Sequence, residues 1–122
     1  MKILLTATSP SIDSTIDPRF GRGAYLIVVD SETLEWQAHA NPGVGASGGA
    51  GTQAAQFAAK QPVSAAISGD FGPNAHGALQ AAGIAMYLFG ASTTVKEAIE
   101  NFKAGQLESV GAPTGPGHHS RR

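Results

Sequence analysis

The chain of 122 residues contains no cysteine. Disulfides are therefore excluded, and so is every thiolate ligand for zinc or for an iron–sulfur cluster. Charge is also scarce, because only 14% of the residues are charged and the formal net charge is −1. Apart from Arg121 and Arg122 there is no basic run. Proteins that bind nucleic acid non-specifically need clustered cations, so we expect no nucleic-acid partner.

Long apolar runs are missing too. No segment approaches the ~20 apolar residues of a membrane-spanning helix, and the start of the chain lacks the apolar stretch of a signal peptide. We therefore expect a cytoplasmic protein with no membrane partner. The apolar fraction of 42% is nevertheless sufficient for a folded core, and the length suits one domain.

Apolar runs separated by turn residues predict five strands and three helices. Strands at residues 3–8, 24–30 and 34–40 come first, and strands at 63–68 and 84–89 then alternate with helices at 52–60, 75–82 and 94–104. Strands separated by single helices should be parallel, and the first three should form an antiparallel meander. The order β-β-β-α-β-α-β-α is that of a ribonuclease-H-like α/β fold, with a mixed five-stranded sheet and flanking helices.

The C-terminal residues have a different composition. From residue 111 onward glycine, proline, serine, histidine and arginine predominate, and such a composition is typical of disordered termini. We predict a folded domain at residues 1–110 and a flexible tail at 111–122. His118 and His119 in that tail are adjacent, and adventitious binding of a divalent ion is the expected extent of their metal chemistry.

The topology predicts where a ligand would bind. In a meander the first and third strands run the same way, so four of the five strands have their carboxyl ends at one edge, where open α/β sheets bind ligands. The segments at residues 17–22, 41–51, 69–74 and 90–94 should meet there. Three of them open helices, whose first N–H groups lack intrahelical partners. Arg19 and Arg22 add two cations, so the edge is predicted to bind a phosphate, a carboxylate or an anionic metal–sulfur cluster.

The candidate anion-binding residues supply a cation, an approachable glycine backbone or a helix start. They are Arg19, Arg22, Gly48, Gly49, Gly51, Thr52, Gly72 and Asn74. His39, near the end of the third strand, and His76, in the first turn of the second helix, are the candidate metal ligands because both could reach the same edge. For each of these residues an ordinary structural role in a turn, a surface or a hydrogen bond is the alternative.

Signatures of catalysis are missing. The sequence has no cysteine nucleophile, no serine-centred elbow and no H-E-x-x-H motif. Asp70 is the only acidic residue well placed at the predicted edge, which is too little for two-metal nuclease chemistry. Residues 43–48 match G-x-G-x-x-G, but the loop is too long and the domain has no second nucleotide-binding half. We expect no enzymatic activity, and nucleotide binding is the least favoured function.

Short motifs follow one another through residues 1–110. They are RFGRGA at 19–24, NP at 41–42, GAGTQAA at 49–55, GPNA at 72–75, AAGI at 81–84, TVKEAI at 94–99 and GQL at 105–107. In order and spacing they resemble the dinitrogenase iron-molybdenum cofactor biosynthesis family. Residues 17–22 also resemble the molybdenum–copper orange proteins within that group.

The resemblance implies a ribonuclease-H-like fold without nuclease activity. It also implies non-catalytic binding or carriage of an anionic metal–sulfur cofactor, or of its precursor, that contains molybdenum, iron or both, with copper as a further option. Such a cluster brings its own sulfides, so Arg19, Arg22 and backbone N–H groups could hold it non-covalently, and the protein could be purified without it.

The resemblance further implies a cofactor-assembly protein or an ATPase as a partner, and we expect a monomer or a weak homodimer. A link to nitrogen fixation does not follow for every member of the family. The alternative function is that of a protein-interaction module within a cofactor-assembly system.

Overall fold

The computed structural model describes residues 1–44 and 49–111. The elements are β1 (Lys2–Ala7), β2 (Tyr25–Asp30), β3 (Trp36–Ala40), α1 (Ala50–Lys60), β4 (Ala65–Ser68), α2 (Pro73–Ala81), β5 (Ala85–Leu88), α3 (Val95–Lys103) and β6 (Glu108–Ser109). Gly48 and residues 112–122 of the predicted tail lie outside the described residues. None of the helices within the described ranges is long and apolar enough to cross a membrane.

The strands form one mixed sheet in the order β3-β2-β1-β4-β5-β6. β2 pairs antiparallel with both β1 and β3, whereas β4 pairs parallel with both β1 and β5. The predicted α/β class, meander and parallel unit are therefore confirmed. The carboxyl ends of β1, β3, β4 and β5 lie at one edge, which we call the carboxyl edge.

The predicted number of five strands is wrong, because the described part of the chain has six. The additional strand, β6, has only two residues and pairs antiparallel with β5. Glu108 and Ser109 are both polar and exposed. A strand this short has no alternation of apolar and polar residues from which it could be recognised.

The two faces of the sheet are covered by different helices. Side chains alternate between the faces of a strand, so the apolar runs of β1 and β2 bury residues on both sides. One face packs against α1 and α2. Its core is formed by the strand residues Leu4, Leu26, Val28 and Ala66 and by the helix residues Ala54, Ala55, Ala58 and Leu79. The other face packs against α3. Its core is formed by the strand residues Ile3, Leu5, Ile27 and Ile67 and by the helix residues Val95, Ala98 and Ile99. Because the buried side of α1 is alanine, this helix can approach the sheet closely.

Two helices begin two residues earlier than the sequence predicts. α1 starts at Ala50, after Gly49 in the left-handed conformation (φ 70°), and α2 starts at Pro73. Proline is well tolerated at the first helical position, because the N–H that it lacks has no intrahelical acceptor there. Glycine and proline, which usually interrupt helices, here form the helix starts.

Three glycines allow chain segments to touch at the carboxyl edge. A Cβ atom added at Gly21 would lie 2.7 Å from the backbone nitrogen of Gly51, and one at Gly43 would lie 2.5 Å from the carbonyl oxygens of Gly21 and Ala50. A Cβ at Gly51 would come within 3.1 Å of the Ala75 Cβ, where α1 meets α2. At these positions glycine serves close packing of the protein's own backbone.

We predict that Gly43→Ala destabilises the fold by about 1–3 kcal/mol, because the new methyl group collides with two backbone oxygens that cannot rotate away. Gly77→Ala is the matched control. Gly77 is exposed in α2, and nothing lies within 4 Å of an added Cβ, so alanine should stabilise the helix by about 0.5–1 kcal/mol. Urea unfolding measures both changes, and equal effects of the two substitutions would contradict this account of Gly43.

Candidate functional site

A cleft of about 390 Å³ opens at the carboxyl edge of the sheet. It is lined by residues 19–22 of the loop between β1 and β2, by residues 49–51 at the start of α1, by Asp70, and by residues 72–75 at the start of α2. Three of the four predicted segments therefore contribute to a single cleft. Six of the predicted anion-binding residues lie in it, namely Arg19, Arg22, Gly49, Gly51, Gly72 and Asn74.

The remaining predicted residues lie elsewhere. Thr52 follows Gly51 in α1 and is half-buried but does not line the cleft, and Gly48 is outside the described residues. The segment at 90–94 does not line the cleft either. Its Thr93 carbonyl accepts a hydrogen bond from the Ile16 N–H (3.0 Å). α3 covers the opposite face of the sheet from α1 and α2, so the segment that leads into it turns away.

Helices α1 and α2 both begin at the cleft without a side-chain cap. Neither Gly49 nor Gly72 has a capping side chain, and neither helix has an acidic residue in its first turn. By contrast, the Thr94 hydroxyl accepts a hydrogen bond from the Glu97 N–H (3.1 Å) at the start of α3, and the Glu97 carboxylate accepts one from the Thr93 N–H (2.7 Å). The sequence predicts this capping of α3 correctly. Thus the two helices that begin at the cleft lack the cap that the helix beginning elsewhere has.

The uncapped starts present backbone donors to the cleft. In α1 the first intrahelical hydrogen bond runs from the Gln53 N–H to the Gly49 carbonyl (2.9 Å), and in α2 from the His76 N–H to the Gly72 carbonyl (2.9 Å). The N–H groups before Gln53 and before His76 have no acceptor within their own helix. Each helix start also carries a partial positive charge of roughly +0.5, so the cleft favours an anion.

Arg19 is held in place by a buried carboxylate. Asp17 is only 5% exposed. Its Oδ1 accepts hydrogen bonds from the Arg19 backbone N–H (2.9 Å) and side-chain Nε (3.3 Å), and its Oδ2 accepts one from Nη2 (3.3 Å). Hydrogen bonding to Asp17, and its negative charge, raise the pKa of Arg19. Asp17 engages two of the five guanidinium N–H donors, so Arg19 keeps a fixed orientation and retains donors for a ligand.

The loop that carries both arginines is anchored by a buried aromatic side chain. Phe20 is buried and packs on Phe71, with ring centroids 5.4 Å apart. Its carbonyl accepts a hydrogen bond from the buried Asn41 side chain (3.1 Å), and its N–H donates to the Asp70 carbonyl (3.3 Å). Sequence reasoning missed the anchoring roles of Phe20 and Asn41, although a lone phenylalanine between two arginines in a loop was a usable signal.

The two candidate metal ligands do not line the cleft. His39 in β3 packs its ring against Phe57 of α1 (centroids 5.1 Å apart), and its Nε2 is buried without a hydrogen-bond partner. His76 is 7% exposed within α2. Across residues 1–44 and 49–111, no group of three or more histidine, aspartate or glutamate residues is arranged to hold a metal ion. A ligand role for His39 and His76 stays a prediction from the sequence.

Asp70 is the one acidic residue among the described residues that line the cleft. Its Oδ1 is buried and has no hydrogen-bond partner within residues 1–44 and 49–111. Burial disfavours the ionised carboxylate and raises the pKa of Asp70.

Asp30, at the opposite end of the sheet, lies in an environment that favours its ionised form. Its pKa is lowered, chiefly because its Oδ1 accepts hydrogen bonds from the Glu32 N–H (2.8 Å) and the Thr33 N–H (3.2 Å).

These environments predict opposite pH dependences of stability. A raised folded-state pKa means that Asp70 costs stability as pH rises from the unfolded value of about 4 through the folded value. Asp70→Asn should therefore raise Tm at pH 7, and the gain should vanish below about pH 4. Asp30→Asn should lower Tm at pH 7, with the loss disappearing as pH falls through the lowered pKa of Asp30. Thermal unfolding between pH 3 and 8 tests both, and a pH-independent effect of Asp70→Asn would contradict the assignment.

Comparison with known proteins gives consistent matches over most of the chain. The family model described as dinitrogenase iron-molybdenum cofactor matches residues 1–105. The apo form of the orange protein from Desulfovibrio gigas is 38% identical, with a TM-score of 0.87 over 93% of this chain and 95% of that one. A putative NifB protein from Thermotoga is 29% identical, with a TM-score of 0.81 over 95% of this chain and 98% of that one. Comparison with curated proteins gives no match.

Proposed function

This chain belongs to the dinitrogenase iron-molybdenum cofactor family, and on that premise we propose that it binds and carries an anionic metal–sulfur cofactor, or a precursor of one, without catalysing a reaction. The family resemblance seen in the sequence motifs is confirmed. The observation that carries the proposal is the convergence of two uncapped helix starts and two arginines on one cleft.

The charges of the cleft suit an anion that carries hydrogen-bond acceptors. Arg19 and Arg22 bring full positive charges, and the starts of α1 and α2 bring partial ones. Inorganic sulfide and oxo groups are acceptors for guanidinium and backbone N–H donors. The proposed contacts are Arg19, Arg22, Gly49, Gly51, Gly72 and Asn74, with Gly48 and Thr52 completing the set.

The cargo must supply its own sulfur ligands, because the chain has no cysteine. The metals of the proposed cargo are molybdenum, iron or both, with copper as the further option. Hydrogen bonds and charge alone would hold such a cluster, so it would be released intact. The cleft volume of about 390 Å³ lies at the small end of ligand pockets, which favours a compact inorganic anion over a dinucleotide.

The proposal extends to the fold, the cellular location and a partner protein. We assign the ribonuclease-H-like topology from the element order, a cytoplasmic location, and a partner that is a cofactor-assembly protein or an ATPase. A protein-interaction module is the second candidate function, and one observation favours it. Leu34 and Trp36 are 44% and 39% exposed, and with Ile12 and Ile99 they line a second cavity on the α3 side of the sheet.

Anaerobic reconstitution tests the binding function. The protein is incubated with thiomolybdate, iron or copper, and sulfide, then desalted and measured by visible spectroscopy and elemental analysis. Wild type should retain a chromophore at a fixed metal ratio. Arg19→Ala and Arg22→Ala should each weaken retention by about tenfold or more, because a charge-assisted hydrogen bond contributes about 1.5–3 kcal/mol. Lys103→Ala, at the end of α3, removes the same charge elsewhere and should behave like wild type. A colourless, metal-free wild-type protein would refute the proposal.

A substitution at the start of α2 should separate stability from binding. A Cβ added at Gly72 meets nothing within 4 Å, and its backbone is extended (φ −62°, ψ 171°), so Gly72→Asp can place a capping carboxylate there. We expect it to stabilise the fold by up to about 1 kcal/mol, through the cap and the helix dipole, while it abolishes cluster retention by occupying and neutralising the helix start. Gly72→Ala provides no cap and should leave retention close to wild type. Unchanged retention in Gly72→Asp would exclude the start of α2 as a contact.

A further inference from the structure

The cleft contains a carboxyl group with one buried oxygen that has no hydrogen-bond partner among the described residues. Asp70 lines the cleft together with Arg19 and Arg22, and its Oδ1 is buried without a hydrogen-bond partner. Its backbone position is fixed, because its carbonyl accepts a hydrogen bond from the Phe20 N–H (3.3 Å) and the residue forms an isolated parallel β-bridge with Arg19. A buried acceptor without a donor is costly. Protonation of the carboxyl group lowers this cost, because burial penalises the ionised form most.

The other charged groups among the described residues that line the cleft are two arginines. The loop between β1 and β2 contributes Arg19 and Arg22, with Asp17 bound to Arg19. The first turns of α1 and α2 contain no acidic residue, and their titratable member, His76, does not line the cleft. Ser68, at the end of β4, is neutral. Burial makes the ionised form of Asp70 unfavourable and raises its pKa, which makes protonation beside a bound anion easier.

A fully deprotonated anion in this cleft would place its own acceptor atoms against the ionised Asp70 carboxylate, which also offers only acceptors. Two acceptors at hydrogen-bond distance repel unless one hydrogen lies between them, as in carboxylate pairs that share a proton. We propose that Asp70 determines the selectivity of the cleft by requiring one proton to bind with the anion, shared between its carboxyl group and an oxygen or sulfur atom of the ligand. This inference rests on the proposed function of the cleft and adds its selectivity and its regulation.

The shared proton is accounted for on binding and on release. A fully deprotonated anion takes one proton from solvent on binding and returns it on release, whereas an anion with a hydrosulfide or hydroxide group brings that proton itself; no other bond forms or breaks. The cleft then favours hydrosulfide- or hydroxide-bearing anions over fully deprotonated ones, because only the former bring the donor that Asp70 lacks. For a ligand that does not titrate, affinity falls as pH rises above the pKa of Asp70. A local rise in pH, or a cation that a partner protein offers to Asp70, would release the cargo.

Calorimetric titration of the full chain with molybdate tests this directly. Titrations at pH 6, 7 and 8 in two buffers of different ionisation enthalpy count the protons taken up. Wild type should take up about one proton per anion, and its affinity should fall by up to about tenfold per pH unit. Asp70→Asn supplies its own N–H donor, so it should bind without proton uptake, with little pH dependence, and at least tenfold more tightly than wild type at pH 8. Asp30→Asn removes the same charge at the far end of the sheet and should follow wild type.

The outcomes separate the two proposals. If wild type binds molybdate without proton uptake, or if Asp70→Asn keeps the wild-type pH dependence, the role of Asp70 is overturned while the proposed function stands. If wild type binds neither molybdate nor the reconstituted cluster, both fail. The proton count of wild type needs no variant, so the inference remains testable even if Asp70→Asn folds poorly.

Discussion

Close backbone packing at the carboxyl edge is the constraint on which the rest of the site depends. The loop that carries Arg19 and Arg22 can lie over the start of α1 only because Gly21 and Gly51 leave no side chains between the two segments. The same absence at Gly51 lets α1 approach α2, which brings both helix starts to one cleft. A single methyl group at this junction would separate donors that belong to three distant parts of the chain.

The capped helix and the two uncapped helices cover opposite faces of the sheet. On the α3 side the Thr94 hydroxyl caps the helix, and the Asn101 side chain donates a hydrogen bond to the Ser92 hydroxyl (2.8 Å) in the segment before it. On the other side, α1 and α2 pack through small alanine side chains and leave their starts uncapped. The N–H groups that lack an acceptor within their own helix therefore lie at the cleft.

Much of this arrangement could be predicted from the sequence, for identifiable reasons. Apolar runs mark the buried strands, and the handedness of βαβ crossovers fixes their relative direction, so the loops at 17–22 and 69–74 were correctly expected at one edge. The sequence does not reveal which face of the sheet a helix covers. It therefore could not show that the loop at 90–94, which follows β5 at the carboxyl edge, lies outside the cleft. The pairing of Asp17 with Arg19 and the orphaned oxygen of Asp70 depend on side-chain geometry. The positions of these residues in the sequence indicate neither the pairing nor the unpartnered oxygen.

Trp36 is the only tryptophan in the chain, and it stands at the start of β3, while the cleft lies beyond the carboxyl end of the sheet. At ~3.3 Å per residue, β3 separates the indole from that edge by on the order of 15 Å. Resonance energy transfer acts across such a distance, whereas collisional quenching does not. A coloured cargo would therefore dim the indole emission from afar, and acrylamide would reach the exposed ring equally well whether the cleft is full or empty. The molecule thus contains its own optical reporter of loading.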